Sequence, residues 1–397
     1  MIDFSIPSEL QDLVSRLRAY IVEEVVPAQR EIADHDDVGA SWPVIEWLRG
    51  RARDWGLFAP HLPPAWGGLG LGAVGMALVH QECGATPVAS LAINAMAPDE
   101  GNMHTLLAAG SDDQLETFLR PLAEGRTRSC FAMTEPDVAS SDPTNLETTA
   151  VRVGDEWVLN GRKWCITGAE GAAFAIVVAK TATDGAAGHR TFSLILVPCD
   201  TPGWVIERHP RWMGSHAAGG HPFVTLTDVR VPAGNLLGDE GEGFLLTQRR
   251  LASGRLAHAM RWIGVSQRAL DLTVKRLLER QAFGSELAGH QALQFMIADS
   301  AMDIHASRMM VLNAAWRVDQ GLPHRQEVAM TKTFVSEAFG RVVDRAVQVH
   351  GAAGIAMDLP IAQWYQDARG ARIYDGASEV HRMTIARELI RAAKSTT

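Results

Sequence analysis

Apolar residues recur at Leu10, Leu13, Leu17, Ile21 and Val25, one face of a 3.6-residue period. They predict an amphipathic helix from Ser8 to Val26, with Ser8 as its N-cap and Pro27 as its interruption. The pattern repeats from Trp42 to Trp55, and Pro60, Pro63 and Pro64 then force a loop before Gly67. Helical patterning resumes to about Gly125. Between about Ser129 and Gly238 the chain turns to short β-type runs, Ala150 to Leu159, Phe174 to Ala179, Thr191 to Val197 and Phe223 to Val231. Asn160-Gly161 reads as a hairpin turn and Thr181 to His189 as a polar loop. From Gly241 the helical period returns over Gly243 to Gln281, Ser285 to Gly321, His324 to His350 and Ala377 to Ala393, lengths suited to bundle helices. The expected class is α+β: a helical domain over residues 1–127, an antiparallel β-domain over 128–239 and a helical bundle over 240–397, with one ligand crevice where they meet.

Composition narrows the function. At 397 residues and 47% hydrophobic content, the chain can bury a large core in two or three domains. A net charge of -9 and a pI near 5.9 argue against a polyanion-binding surface, so nucleic acid is not an expected partner. The Arg-rich segment Arg249 to Arg261 can still serve a single phosphate. Cys83, Cys130, Cys165 and Cys199 show neither disulfide nor zinc spacing and are expected to be reduced and buried. His209, His216 and His221 surround the loop Gly214 to Gly220 without ligand spacing, so no metal is expected. The segment Met1 to Leu10 carries acids and no secretory or transit pattern, and no apolar run reaches the ~18 residues a span needs. A cytoplasmic protein is the expectation. Gly70-Leu-Gly-Ala-Val-Gly75 follows a proline-rich loop and not a strand, so it reads as a helix connection and not as a dinucleotide fingerprint.

The chemistry concentrates in Phe131-Ala-Met-Thr-Glu-Pro-Asp-Val-Ala-Ser-Ser-Asp142, a loop whose Thr134, Ser140 and Ser141 hydroxyls and turn-prone Pro136-Asp137 suit a planar, hydrogen-bond-rich ligand or an ordinary Asp/Ser turn. The stretch resembles the Thr-Glu-Pro segment of the acyl-CoA dehydrogenase family. Lys163-Trp-Cys-Ile-Thr167, Arg280-Gln-Ala-Phe-Gly284, His290-Gln291, Gln348-Val-His-Gly351 and Ile373-Tyr-Asp-Gly376 follow in that family's order. The form of the first segment is most similar to the branch acting on 4-hydroxyacyl-CoA thioesters.

That resemblance implies a β-barrel-like middle domain, a C-terminal four-helix bundle, FAD as cofactor and a homo-oligomer, dimer or tetramer. It implies α,β-desaturation of an acyl-CoA, with electrons passed to an electron-transfer flavoprotein. The base falls on Asp375, which also reads as the cap of the helix near Ala377. A free Asp is a weak base for a carbon acid, so burial beside flavin and acyl chain is expected to raise its pKa. The alternative base position of other branches falls on Gly254, which closes that route. Arg255, which also reads as one of several arginines on a solvated helix face, matches the arginine beside the acyl site. Ser141, Gly376 and Arg387 match further substrate contacts. For the flavin the resemblance carries over to Phe131, Met133, Thr134, Ser141, Cys165 and Thr167. Arg280, Phe283, Gln291, Gln348, Gly351 and Ala352 match nucleotide contacts made partly across a subunit interface. Cys165 departs from the usual Trp, and Ala377 and Glu379 from the usual Thr and Gln. The departures at Asp375 and Cys165 keep open a nitroalkane-oxidase-like or monooxygenase reading on the same fold. A non-catalytic binding role is the third reading.

Overall fold

The computed structural model describes residues 5–33, 38–86, 88–181, 191–214 and 219–396. Its first helix, α1 (Ser8–Tyr20), runs without a break through a π-helical turn, Ile21–Val25, into α2 (Val26–Ala33). Leu13, Leu17, Ile21 and Val25 are buried along one face, as the period predicts. Two details differ. Pro7, not Ser8, is the N-cap, and Pro27 does not end the helix. Proline tolerates the start of a helical segment, and the wide π turn just before it absorbs the missing N–H. The helical layer continues with α3 (Val38–Asp54), α4 (Ala73–Cys83), α5 (Ala89–Ala92), α6 (Asp99–Ala109), α7 (Asp112–Gln114) and α8 (Arg120–Ala123).

Eight strands follow: β1 (Ser129–Ala132), β2 (Thr149–Val153), β3 (Glu156–Lys163), β4 (Phe174–Lys180), β5 (Phe192–Pro198), β6 (Trp204–Arg208), β7 (Phe223–Pro232) and β8 (Leu236–Leu237). They order as β6-β7-β3-β2-β4-β5-β8, with β1 on β4. The sheet is mostly antiparallel, as expected, but β1 and β2 both run parallel to β4, and the ladder is open at β6 and β8. The hairpin is misplaced by the Asn160-Gly161 signal. Val153 pairs with Glu156, so Gly154-Asp155 makes the turn, and the β3–β7 register shifts between Leu159 and Gly161. An Asn-Gly pair suits a bulge as well as a turn. Alternation on β4 and β5 buries both faces: Phe174, Ile176, Val178, Leu194 and Leu196 pack on the N-terminal helices, while Ala175, Val177, Ile195 and Val197 fill the sheet's other side. Residues 182–190 and His216 lie outside the described residues.

The remaining chain is helical. The 37-residue α9 (Gly243–Glu279) leads to a two-residue ladder of β9 (Gln281–Ala282) and β10 (Ser285–Glu286), then α10 (Gln291–Asp319) and α11 (Arg325–His350). Ser285 thus starts a strand, and the helix expected there begins at Gln291. After α12 (Ala352–Ile355), α13 (Pro360–Ala371) precedes the last helix, α14 (Ser378–Thr396). The unread α13 buries Ile361, Trp364 and Ala368 against α9 and α11. No helix among the described residues is long and apolar enough to cross a membrane.

Candidate active site

One cleft of about 2080 Å³ opens where the three parts meet. That exceeds the roughly 300–1,000 Å³ of ordinary ligand pockets and suits two ligands side by side. The Phe131–Asp142 loop forms one wall. Thr134 donates its hydroxyl to the Trp164 carbonyl, and Trp164 N–H returns a bond to the Thr134 carbonyl at 3.0 Å, so this loop and the 163–167 loop are locked together. Below them Lys163 and Glu135 make a buried ion pair at 2.8 Å. Lys163 Nζ also donates to the carbonyls of Met133 and Val178, and Glu135 accepts the N–H groups of Glu147 and Thr148. Burial lowers the Lys163 pKa to about 8 even so. Ser140, offered by the sequence as a ligand contact, instead bonds the main chain of Glu135.

The opposite wall carries Asp375, at a left-handed φ of 55°, followed by Gly376 at 98°. Three helices hold this turn. Arg255 Nε and His381 Nε2 donate to the Asp375 carbonyl at 2.9 and 3.2 Å, and Lys332 Nζ donates to the carbonyls of Ala371 and Gly376 at 2.9 and 2.7 Å. The Asp375 carboxylate does not cap α14. It meets His258 Nε2 at 3.2 Å through Oδ2. A Cβ built on Gly254 would lie 3.7 Å from that Oδ2, so the two alternative base positions address one point in space.

The expected upward pKa shift is overturned. Withdrawal from water does push Asp375 up, but the hydrogen-bonded His258 and the guanidinium groups of Arg255 and Arg250 outweigh it and hold the carboxylate well below its usual range. Glu100, on α6, follows the same logic: burial raises it, while His80, His61 and Arg261 bring it far down. Both carboxylates therefore contribute stability that is complete above their unfolded values of about 4 and is lost as pH falls through the lower folded ones. Thermal melts should show the gap between wild type and Asp375→Asn or Glu100→Gln constant above about pH 5 and closing below about pH 4.

Of the residues singled out in the sequence, Phe131, Met133, Thr134, Ser141, Cys165, Thr167, Arg255, Asp375, Gly376, Ala377 and Arg387 line the cleft. Arg280, Phe283, Gln291, Gln348, Gly351, Ala352 and Glu379 do not, and they stand exposed on the bundle, Phe283 at 99%. Cys165 and Cys199 are half-buried where burial was expected, and Cys165 takes a φ of 56°. Beside it Trp164 packs with Trp212 and Phe223, at ring distances of 6.2 and 5.4 Å. His209 pairs with Glu170 at 3.2 Å and His221 with Thr167 at 2.9 Å. His80, Glu100 and His258 escape the sequence reading, and Arg261 enters it only as the end of an Arg-rich phosphate candidate, although Arg255, His258 and Arg261 form a legible stripe of spacing three on α9.

Family models for the N-terminal, middle and C-terminal domains of acyl-CoA dehydrogenase match residues 7–126, 130–229 and 241–390. The chain belongs to the acyl-CoA dehydrogenase family. It is 41% identical to the probable acyl-CoA dehydrogenase FadE2 of Mycobacterium tuberculosis, over 99% of this chain and 98% of that one. It is 37% identical to acyl-CoA dehydrogenase family member 11 of Homo sapiens over 95% of its length, but spans about half of that relative and of several other curated relatives. The structure of butyryl-CoA dehydrogenase from Megasphaera elsdenii superposes with a TM-score of 0.86 at 28% identity, over 98% of this chain and 100% of that one. As a member of the acyl-CoA dehydrogenase family the chain is an FAD-dependent oxidoreductase acting on the CH-CH group of an acyl-CoA.

The cleft fits a flavin. The indole N–H of Trp212, buried on the cleft wall, finds no acceptor among the described residues. The locked loops present the Thr134 and Thr167 hydroxyls beside an aromatic surface of Trp164 and Trp212.

Proposed function

We propose that an acyl-CoA lies with its thioester between Asp375 and the flavin-binding loops, and that Asp375 removes the α-proton. The supporting observation is the carboxylate on the cleft wall. Its Oδ2 is occupied by His258, while Oδ1 has no hydrogen-bond partner among the described residues and is left to accept a proton. The N–H groups of Asp375, Gly376 and Ala377 make no hydrogen bond among the described residues, and the two left-handed residues splay them. They suit the thioester oxygen, where negative charge gathers as the α-proton leaves. FAD, when bound, accepts the β-hydride. Arg255 holds the turn through its carbonyl and supplies positive charge beside the base. Arg387, Arg325 and Arg369 line the same cleft and suit the anionic CoA.

Arg250 supports a finer reading of the substrate class. This guanidinium lines the cleft, stacks over Phe131 at 4.0 Å and donates to Asn102 Oδ1 at 2.9 Å and the Pro98 carbonyl at 3.3 Å. Gly101 makes room for it, since a Cβ there would sit 3.1 Å from Arg250 Cζ. Burial lowers its pKa to about 10, so it stays charged at neutral pH, and its field reaches Asp375. A plain alkyl chain offers this guanidinium no further acceptor, whereas a hydroxylated chain can bond to it. An oxygenated acyl chain, as in 4-hydroxyacyl-CoA, is the preferred reading. Arg250→Leu should lower kcat/KM for a 4-hydroxyacyl-CoA by about 10- to 100-fold relative to the unsubstituted thioester, the worth of a hydrogen bond to a charged group. An unchanged ratio removes the hydroxyl from the proposal.

The electron acceptor proposed is an electron-transfer flavoprotein, and the assembly a homo-oligomer in which the exposed Arg280, Phe283, Gln291, Gln348 and Gly351 meet the flavin's nucleotide end in a second copy. Anaerobic addition of plain, branched and 4-hydroxyacyl-CoAs, followed by flavin absorbance, tests the whole reading. Bleaching by one class is the expected result. No bleaching by any thioester, with oxygen uptake on a nitroalkane, would move the assignment to oxygen chemistry.

A further inference from the structure

A line of side chains joins the N-terminal helices to the base. Glu100 Oε1 lies 3.0 Å from His80 Nε2, Arg261 NH1 lies 3.1 Å from His80 Nδ1, Arg261 NH2 lies 3.1 Å from His258 Nδ1, and His258 Nε2 lies 3.2 Å from Asp375 Oδ2. A guanidinium carries only donors, so both Nδ1 atoms must accept and both ring protons must sit on Nε2, where His80 bonds Glu100 and His258 stands at ion-pair distance from Asp375. We propose that Arg261 is a positioning residue that locks His258 as the neutral imidazole protonated on Nε2, and through it fixes the ionised, oriented carboxylate of Asp375.

The surroundings are built for this geometry. Helices α4 and α9 touch at Gly84 and Gly264: a Cβ on Gly264 would sit 2.0 Å from the Gln81 carbonyl oxygen, and one on Gly84 2.3 Å from the Arg261 carbonyl oxygen. That contact lies one helical turn from both His80 and Arg261 and brings them within reach. The His258 ring is fixed further by stacking on Trp262, at 5.8 Å and 19°. An imidazolium at His258 would set its Nδ1 proton against the Arg261 donors. Burial, Arg261 and Lys332 oppose that charge, and Asp375 alone among the facing groups favours it. Asp375 itself faces His258, Arg255, Arg250 and, at its carbonyl, His381. His80, His61 and Arg261 face Glu100 at the far end.

Two readouts test the proposal on the FAD-loaded protein. The first is side-chain ¹⁵N NMR of histidine, with His258 assigned through His258→Asn. Wild type should show His258 with a bare Nδ1 and a protonated Nε2 from about pH 5 to 8, while Arg261→Met should protonate both nitrogens within that range. The second is the pH profile of anaerobic flavin bleaching by an acyl-CoA. Arg261→Met should acquire an acid limb falling about tenfold per pH unit, absent from wild type and abolished in Arg261→Met/His258→Asn. Arg261→Lys, which can serve only one imidazole well, should titrate between the two and stands in should Arg261→Met not fold. A proton on Nδ1 of wild-type His258, titration of that ring in the wild type, or identical profiles for Arg261→Met and wild type would overturn the proposal. The rate effect rests on Asp375 being the base. The tautomer does not, so failure of the dehydrogenase reading is separable.

Discussion

Asp375→Asn should slow flavin bleaching by acyl-CoA by about 10²- to 10⁴-fold, the usual worth of a positioned general base, while leaving flavin content unchanged. Asparagine is the informative replacement because position 375 has a φ of 55°, a conformation Asn tolerates about as well as Asp. The fold is thereby preserved and the loss reports chemistry. The proximity of Gly254 supplies the converse test. In Asp375→Gly, the further change Gly254→Glu would place a carboxylate near the vacated site, since its Cβ starts 3.7 Å from Asp375 Oδ2. Partial return of bleaching is expected. A fully active Asp375→Asn would remove Asp375 as the base.

Glu135→Ala should cost about 3–5 kcal/mol of folding stability, because it strands the Lys163 ammonium in the interior. The side chains of Lys163 and Glu135 are 0% and 4% exposed, so water cannot take over the lost partner. The same change releases the N–H groups of Glu147 and Thr148 and loosens the loop carrying Met133 and Thr134, so flavin should be lost as well. Urea titration and the absorbance ratio of bound flavin to protein measure the two effects. Glu135→Leu/Lys163→Met, which removes both charges, should be less damaging than Glu135→Ala alone. Equal stability of wild type and Glu135→Ala would refute the argument.

Local pattern carried most of the fold. The Leu13, Leu17, Ile21, Val25 stripe and the apolar runs of β4 and β5 declare their burial directly, and the ordered motifs brought Asp375 and Arg255 to one site. What stayed hidden depends on partners distant in sequence. His80 meets Arg261 across 181 positions, and nothing near either residue marks the pairing. The sign of the Asp375 shift is hidden for the same reason: burial is legible from the chain, but the charges supplied by α9 become neighbours only on folding. Asn160-Gly161 shows a different limit, since one dipeptide serves both a turn and a bulge and only the pairing of β3 with β7 decides.

The fastening of Asp375 has a mechanical consequence. Arg255, Lys332 and His381 anchor its turn to α9, α11 and α14, whereas the Lys163–Glu135 pair anchors Thr134 to the sheet. The proposed base therefore rides on the bundle, and the loop proposed to hold the flavin rides on the β-domain. Sliding one body against the other changes the gap a hydride must cross but leaves the local surroundings of the carboxylate intact. Hydrostatic pressure, or a carrier protein docking across the seam, would thus act as a gauge on hydride transfer, visible as a change in the β-deuterium isotope effect while the α-deuterium effect holds still.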